Sequence, residues 1–351
     1  MVAGGGPAGS ACAITAARAG AKVLLLEKDH LPRHRVCGEF VSAESLDLLA
    51  SLLVRDAFAQ KPEIPSARVF LGSSAISLPV SPAARSIPRY ELDEALLQAT
   101  RESGVHVIEG CAVLQVEAAA GGNFVVRTGT GAFAARTAVN AAGRWSQLTE
   151  YRPETHTKWI GVKAHFREPE PSRSVDLYFF AGGYCGVQPI GGDTVNAAAM
   201  VRAETASSLE QVLASTPELW RRSRNWEQLF PTITTSPLYF RTPQTDQLGV
   251  MQVGDAAAFI DPFAGDGISL ALHSGRLASE SLSGVWKRTY SLEEALRRYR
   301  EDYKKRFAPA FRNASRLRAF LTAPAWIRSG LLGLLSKPMV AAFVVGRTRA
   351  R

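Results

Sequence analysis

Glycines near the start of the chain are the residues whose spacing most clearly serves chemistry. Gly4, Gly6 and Gly9 form a G-x-G-x-x-G pattern, and small apolar residues follow at helical spacing as far as Gly20. In such a loop the glycines permit a tight turn, close approach of a pyrophosphate, and close helix–strand packing. The helix N-terminus adds free N–H groups and a positive dipole end. The spacing predicts a dinucleotide phosphate site made by Gly4, Gly6, Pro7, Ala8 and Gly9.

An acidic residue follows the loop at the distance that a ribose contact requires. Residues 21–27, AKVLLLE, are typical of a buried parallel strand that ends at Glu27. A carboxylate about 20 residues beyond the loop accepts hydrogen bonds from a ribose diol. Glu27 and the adjoining Lys28 are therefore candidate cofactor contacts. The alternative is a βαβ turn that holds no ligand.

The strand that leads into the loop is short. Only Met1, Val2 and Ala3 precede Gly4, whereas strands usually have about five to six residues. We therefore expect that a piece of the natural N-terminus is missing, which would weaken retention of the cofactor.

A second glycine-containing turn lies far downstream. Val250, Met251 and Val253 predict a strand with Gly254 and Asp255 at its end. A turn over 262–267 then leads into a second helix of small residues. This arrangement is the same as that of the first loop, because a strand again ends at a turn and a helix begins directly after it.

The two motifs together resemble those of FAD-binding flavoproteins with the p-hydroxybenzoate hydroxylase-type fold. The resemblance implies that Asp255 hydrogen-bonds the ribityl chain and that the helix N-terminus faces the N1–C2=O edge of the flavin. FAD is therefore the expected cofactor, rather than NAD. The alternative is a buried Asp255 that caps the helix. The cofactor residues implied here are Gly254, Asp255, Pro262, Gly265, Asp266, Gly267 and Ile268.

An intermediate segment fits the same resemblance. Arg89, Leu92, Asp93 and Leu96 match the R-x-x-L-D-x-x-L helix start of those flavoproteins. The resemblance implies that Arg89 lies near the FAD phosphate or ribose and that the backbone around Val113 meets the adenine. The alternative for Arg89 is a helix-terminal salt bridge with Asp93.

The stretch LPRHRVCGEF, residues 31–40, indicates a subfamily. Pro32, Arg35, Cys37 and Gly38 resemble the P-x-x-K-x-C-G-G element of the geranylgeranyl reductase family, with Glu39 replacing its second glycine. The resemblance implies that Arg35 reaches the FAD pyrophosphate or ring edge and that Cys37 lies at the rim of the flavin pocket. An ordinary buried thiol is the alternative for Cys37.

Two departures from the family patterns limit which reactions and substrates the resemblance implies for this chain. Ala142 stands where a mid-chain motif has an aspartate that serves FAD and NADPH, which weakens the case for an NADPH-fed hydroxylase. The reductases' Y-x-W-x-F-P motif is reduced to Tyr184, Gln188 and Pro189. The W-x-W-x-I-P pattern of tryptophan halogenases is absent, so neither substrate class is implied.

Residues 174–202 predict a meander of antiparallel strands with Gly-Gly turns. In the family, such strands form the floor of the substrate domain. Tyr184, Cys185, Gln188 and His165 are the candidate substrate residues, with core packing as the alternative for Cys185 and a structural role for His165. Cys37, Glu39 and Tyr184 are the candidate catalytic groups, since no His–Asp pair stands out as a proton donor.

Composition excludes several classes of protein. The net charge is +9, but the basic residues are dispersed and no nucleic-acid-binding signature occurs, so we expect no nucleic acid partner. The four cysteines contain no CxxC pair, which argues against a metal site or disulfide scaffold and favours a reducing, cytoplasmic location. There is no signal-peptide pattern, and Lys337 and Pro338 break the most apolar stretch, 329–346.

The expected architecture is α/β, with a Rossmann-like FAD-binding domain, a discontinuous antiparallel-sheet substrate domain and C-terminal helices. We expect the FAD-binding domain to comprise 1–60, 85–155 and 240–290. The substrate domain would comprise 61–84 and 156–239, and the helical region 291–351.

The predicted function is FAD-dependent hydride transfer to or from a hydrophobic small molecule, of the dehydrogenase or reductase type. NADPH or NADH is a candidate electron donor. Two alternatives stay open: a flavin monooxygenase, and a flavin-binding protein without turnover. The basic C-terminal region is either a solvated tail or a peripheral contact with anionic lipid.

Overall fold

The computed structural model describes residues 1–55, 57–72, 74–144, 148 and 158–321, with side chains up to 315. The helices are α1 (Pro7–Arg18), α2 (Ala43–Leu53), α3 (Arg89–Glu102), α4 (Leu209–Leu213), α5 (Pro217–Ser223), α6 (Gly267–Trp286) and α7 (Leu292–Leu321). The first nine strands are β1 (Val2–Ala3), β2 (Leu24–Leu26), β3 (Phe40–Val41), β4 (Glu63–Leu71), β5 (Ser74–Ser86), β6 (His106–Ile108), β7 (Val113–Ala119), β8 (Asn123–Thr128) and β9 (Gly131–Ala135). The others are β10 (Val139–Asn140), β11 (Trp159–Arg167), β12 (Ser174–Phe180), β13 (Gly183–Gly191), β14 (Thr194–Arg202), β15 (Glu227–Gln228), β16 (Ile233–Leu238), β17 (Asp246–Gln247) and β18 (Val250–Gln252).

The first sheet has six strands in the order β17-β18-β10-β1-β2-β6. All its pairs are parallel except β17–β18, and β1 lies between β10 and β2. The central strands β1 and β2 are apolar without alternation, as is typical of parallel strands covered by helices. The core of this unit joins α1, α6 and α7, and includes the buried rings of Tyr299, Tyr303 and Phe307.

The second sheet has nine strands, eight of them in the order β15-β11-β14-β13-β12-β4-β5-β3, with β16 also paired to β11. β12, β13 and β14 form the predicted meander, and the β4–β5 hairpin joins it through a parallel β12–β4 pair. Because side chains alternate along a strand, the sheet has two distinct faces. We call the face that α4 and α5 cover the outer face; the inner face looks towards the first sheet.

The expected α/β fold with an antiparallel second sheet is confirmed. A small three-stranded sheet, β7-β8-β9, completes it. Residues 322–351 of the C-terminal region, including the apolar stretch 329–346, lie outside the described residues. Of the helices that the structure describes, none is long and apolar enough to cross a membrane.

Candidate active site

A cavity of about 830 Å³ runs between the glycine loop and the inner face of the nine-stranded sheet. It is lined by both predicted cofactor motifs, by the stretch 33–40 and by aliphatic side chains of the sheet. The predicted cofactor residues that border it are Gly4, Gly6, Pro7, Ala8, Glu27, Lys28, Arg35, Cys37, Arg89, Val113, Asp255, Pro262, Gly265, Asp266, Gly267 and Ile268. Gly9 and Gly254 instead lie behind it, at contacts between elements.

The glycine loop fits the phosphates of a dinucleotide. A Cβ at Gly9 would collide with the carbonyl oxygen of Gly4, whereas a Cβ at Gly6 would meet nothing within 4 Å. The open side of Gly6 therefore leaves room for a ligand against the backbone. α1 begins beside it at Pro7, and no side chain caps its first N–H groups. These free donors and the helix dipole suit an anion.

Close helix packing brings the two cofactor motifs together. α6 crosses α1 so closely that a Cβ on Gly275 would overlap the Ala8 carbonyl. Consequently, the N-terminus of α6 at Gly267 opens into the same cavity as that of α1. Asp255 lies between them and contacts the Arg144 guanidinium at 3.5 Å. Two loops about 250 residues apart thus form one cradle, and their donors fit FAD.

Glu27 is held as a carboxylate at the end of β2. The Gly5 N–H donates to its Oε2 at 2.6 Å, and Arg33 Nη1 donates to its Oε1 at 2.6 Å. Burial alone would raise the pKa of Glu27, but Arg33 and two backbone donors outweigh burial and lower the pKa. The buried negative charge is the group expected to accept from a ribose.

Arg89 and Cys37 adjoin each other at the cavity rim. Arg89 forms a two-pronged ion pair with Asp93 at 2.8 Å, which is the alternative that the sequence left open, and it also borders the cavity. Burial would lower the pKa of Arg89, but Asp93 and the Cys37 thiol raise it overall. The half-buried Cys37 sulfur also accepts from the Glu39 N–H at 3.3 Å. Cys37 therefore lies beside Arg89 at the rim of the cavity.

Glu39 occupies a backbone position that suits the glycine it replaces. Its φ is +62°, a left-handed conformation that costs a non-glycine residue about 1 kcal/mol or more. The side chain compensates for this cost. Its carboxylate is fully buried, forms an ion pair with Lys163, and lies 2.9 Å from His165 Nε2. It also accepts from the Arg89 N–H at 2.9 Å.

The remaining wall of the cavity is aliphatic. It is formed by alternate residues of the inner face, on β4, β5, β12, β13 and β14. These residues are Ala67, Val69, Leu71, Ile76, Leu78, Val80, Val175, Leu177, Gly186 and Ala198. A wall of this kind binds apolar molecules through surface burial.

Tyr184 and Gln188 supply polar groups to this apolar wall. The Tyr184 ring packs edge-on against Phe263 of the second cofactor turn, with centroids 5.7 Å apart. Burial raises the pKa of Tyr184 well above its usual value, so its hydroxyl stays protonated. Gln188 is anchored through Nε2 to Ser86 Oγ at 2.7 Å. Both side chains border the cavity.

Two predicted substrate residues do not reach the cavity. Cys185 lies on the outer face, fully buried in the cluster with Val162 and Val187, because it alternates with Tyr184 along β13. The expectation that it faces substrate is therefore wrong. His165 is buried behind Glu39 and does not border the cavity, so the structure also corrects its assignment as a substrate contact.

Lys163 is a buried residue of this region that the sequence analysis missed. It lies two residues before His165 on β11, within the apolar strand GVKAHF. A lysine and a histidine that share one face of a buried strand were a usable signal, since such residues are rarely buried without partners. Their partner, Glu39, is more than 120 residues away in the chain.

Known proteins resemble this chain along most of its length. Residues 1–37 match a family model described as FAD dependent oxidoreductase. The menaquinone reductase of Mycolicibacterium smegmatis is 25% identical over 93% of this chain and 85% of its own length. Among solved structures, the flavin-dependent brominase Bmp2 is 20% identical, with a TM-score of 0.82 over 98% of this chain and 92% of its own.

A geranylgeranyl bacteriochlorophyll reductase-like protein from Thermoplasma acidophilum is 21% identical, with a TM-score of 0.80 over 99% of this chain and 94% of its own. These matches confirm the expected cofactor, FAD, and the expected class, an oxidoreductase enzyme. The alternative of a flavin-binding protein without turnover is set aside on the same grounds.

Proposed function

We propose that this chain, which belongs to the FAD-dependent oxidoreductase superfamily, transfers a hydride between FAD and a hydrophobic small molecule. One observation carries the proposal: a single cavity joins the phosphate and ribityl cradle to an aliphatic wall. Bound FAD would give or accept the hydride at its N5 atom. The protein would bind the apolar substrate along the inner face and exclude water from it.

Different residues would bind different parts of the cofactor and the substrate. Gly6 and the N-terminus of α1 would hold the pyrophosphate, Glu27 the ribose, and Asp255 the ribityl chain. Tyr184 would donate a hydrogen bond to the substrate, because its hydroxyl is protonated and lies beside the turn that carries Phe263. Cys37 and Glu39, which also border the cavity, are the other candidate proton donors.

The reductase direction is supported by the names of two relatives, a menaquinone reductase and a geranylgeranyl bacteriochlorophyll reductase-like protein. The fold shared with a flavin-dependent brominase supports a second candidate, a monooxygenase-type reaction with oxygen. Both reactions need the same cradle. They differ in whether the reduced cofactor passes its electrons to substrate or to oxygen.

An anaerobic visible spectrum before and after NADPH, and then NADH, tests the proposal. We expect flavin absorption bands that bleach when a nicotinamide donor is added. Reoxidation by an apolar alkene under argon would support the reductase, whereas reoxidation by oxygen with consumption of substrate would support the monooxygenase. Protein that purifies without flavin and does not bind added FAD would contradict both.

We also propose that the basic C-terminal region contacts anionic lipid at the periphery of a membrane. Lys304, Lys305, Arg306 and Arg312 are exposed on α7. Each basic residue near such a surface contributes about 1 kcal/mol. Co-sedimentation with vesicles that contain phosphatidylserine, and loss of binding at high salt, is the expected result. Equal binding to neutral vesicles would contradict an electrostatic contact.

A further inference from the structure

Three titratable side chains are buried together beside the cavity. Lys163 and Glu39 are fully buried, and His165 is only 4% exposed. The Glu39 carboxylate bridges the other two, with Lys163 Nζ on Oε1 and His165 Nε2 on Oε2. We call these residues the buried trio. Of its three members, Glu39 alone borders the cavity.

The charges of the buried trio are not required merely to hold the loop of Glu39 against the sheet. Lys163 also donates to the Arg35 carbonyl at 3.2 Å, and Asn196 fixes the Cys37 and Gly38 carbonyls. The neutral amide, on β14 next to β11, shows that uncharged groups can hold this loop against the sheet. A buried ion pair seldom adds net stability over apolar packing. A lysine, a carboxylate and a histidine in one chain are, however, suited to moving a proton.

Charged and titratable groups face Glu39 from three parts of the chain. β11 contributes Lys163 and His165, and α3 contributes Arg89 through its N–H and Tyr90 at longer range. The loop that carries Glu39 contributes Cys37, whose sulfur accepts from the Glu39 N–H, and His34 at longer range. Burial alone would raise the pKa of Glu39, but His165 and Lys163 lower it, so the resting carboxylate is ionised. His165 Nε2 and Lys163 Nζ both lie within hydrogen-bond distance of that carboxylate, so a proton can pass between these groups.

An exposed imidazole lies beside the buried trio. The exposed ring of His34 contacts the ring of His165 edge-on, with centroids 5.5 Å apart, and stacks on Phe230 at 4.0 Å. Partial burial, Lys163 and His165 all lower the pKa of His34. His165 is therefore one imidazole ring away from solvent.

We infer that the buried trio is a proton store that supplies the proton which accompanies hydride transfer. This inference rests on the proposed function. When an electron donor such as NADPH has reduced the cofactor, the trio would take one proton from solvent to balance the added negative charge. The substrate double bond then gains a hydride at one carbon and, through Glu39, the stored proton at the other. The substrate is reduced by two electrons and the cofactor is oxidised by two.

The thermodynamic test needs no substrate. Spectroelectrochemical titration of the FAD-loaded protein between pH 5.5 and 9 gives the number of protons taken up when the cofactor is reduced. We expect the wild-type protein to take up as much as one proton more than Glu39→Gln. Asp176→Asn is the matched control, because it removes another fully buried, ion-paired carboxylate from the same sheet, on its outer face. It should take up as many protons as the wild type, and equal uptake in Glu39→Gln and wild type overturns the inference.

A kinetic test uses trans-β-nitrostyrene, a hydrophobic alkene with an activated double bond. Reoxidation of the reduced protein by this probe under argon should be about 100-fold slower or more in Glu39→Gln, as for loss of a general acid. It should be unchanged in Asp176→Asn. Lowering the pH should partly restore the rate in Glu39→Gln, because solvent then supplies the proton.

The two tests separate the inference from the proposed function. Extra proton uptake without any reaction with the probe would contradict hydride transfer to alkenes and support the proton store. Reaction with the probe at equal rates and equal uptake in both proteins would contradict the store alone. If Glu39→Gln loses FAD, His165→Gln replaces it, since the Glu39–Lys163 pair then remains. Wild-type proton uptake in His165→Gln would also overturn the inference.

Discussion

The two faces of the nine-stranded sheet each bury a carboxylate between two basic side chains, and they do so with different chemistry. On the outer face, Asp176 pairs with Arg68 and Arg222. On the inner face, Glu39 pairs with Lys163 and lies beside His165. Both carboxylates are fully buried.

The partners decide what each cluster can do. A guanidinium does not release its proton in proteins and holds carboxylates with a planar fork, as Arg222 also does with Glu168 at 2.7 and 2.8 Å. Lysine and histidine can both lose a proton when they are buried. The outer cluster therefore suits the fixing of strands to α5, and the inner cluster suits exchange of protons with the cavity.

The largest expected difference between the faces is in thiol reactivity. Cys37 borders the cavity, whereas Cys185 is buried on the outer face and burial raises its pKa to about 12. At pH 8 only ~10⁻⁴ of such a thiol is the reactive thiolate. We expect N-ethylmaleimide to label Cys37 and not Cys185, as measured by peptide mass spectrometry, and bound FAD to slow the labelling. Labelling of Cys185 in folded protein would contradict the assignment of faces.

Removing one cation from the inner face should lower the free energy of unfolding substantially. Lys163→Met leaves the Glu39 charge buried without its ion pair, so the free energy of unfolding should fall by about 3–5 kcal/mol. Arg68→Met should cost about 1 kcal/mol or less, since that side chain is 38% exposed and Arg222 remains on Asp176. Urea unfolding of the two variants measures the difference. Equal losses would show that the two clusters are equivalent.

A second substitution should recover part of that loss. Glu39→Gly removes the stranded charge and puts glycine at a φ of +62°, where it is unstrained. The double variant Glu39→Gly, Lys163→Met should therefore be more stable than Lys163→Met by about 1–3 kcal/mol. A double-mutant cycle in urea measures the coupling between the two sites. Simple additivity would contradict a direct interaction.

The smallest expected effect is on how steeply the free energy of unfolding falls at acid pH. The folded-state pKa of Glu39 is below its usual value of about 4.5, because Lys163 and His165 outweigh burial. Its contribution is therefore full above that value and is lost as the pH falls through the folded-state pKa. The urea midpoint of the wild type should fall more steeply between pH 5 and 3 than that of Glu39→Gln. Parallel curves would show that Glu39 does not have a lowered pKa.

Sequence patterns were sufficient for the cofactor cradle because its requirements are local. Gly6 and Glu27 are specified by spacing within one strand–loop–helix–strand unit, and Asp255 by a second turn of the same design. Arg89 shows the limit of this reasoning. Its pattern placed it at the cavity, but only the folded helix shows that its guanidinium is also held by Asp93.

The residues that face the substrate could not be predicted from sequence patterns in the same way. The strand GYCGVQPIG alternates, and alternation shows that Tyr184 and Cys185 face opposite sides without showing which side is the cavity. α4 and α5 settle the question by covering the face that carries Cys185. Because a shift by one residue exchanges the two sets of side chains, only the packed sheet assigns Tyr184 and Gln188 to the cavity.

The sequence by itself determined the α/β fold and the two cofactor motifs, since glycine spacing and helix starts depend on neighbouring residues along the chain, and the family resemblance of those motifs indicated FAD. Tertiary structure alone decided the partners of Glu39, because residues 39, 163 and 165 meet only when the loop after β2 packs on β11. A glutamate in a position that suits glycine looked like a departure from a motif. In the folded protein the burial of a charge makes it the centre of the trio, since a carboxylate without water must find cations within hydrogen-bonding distance.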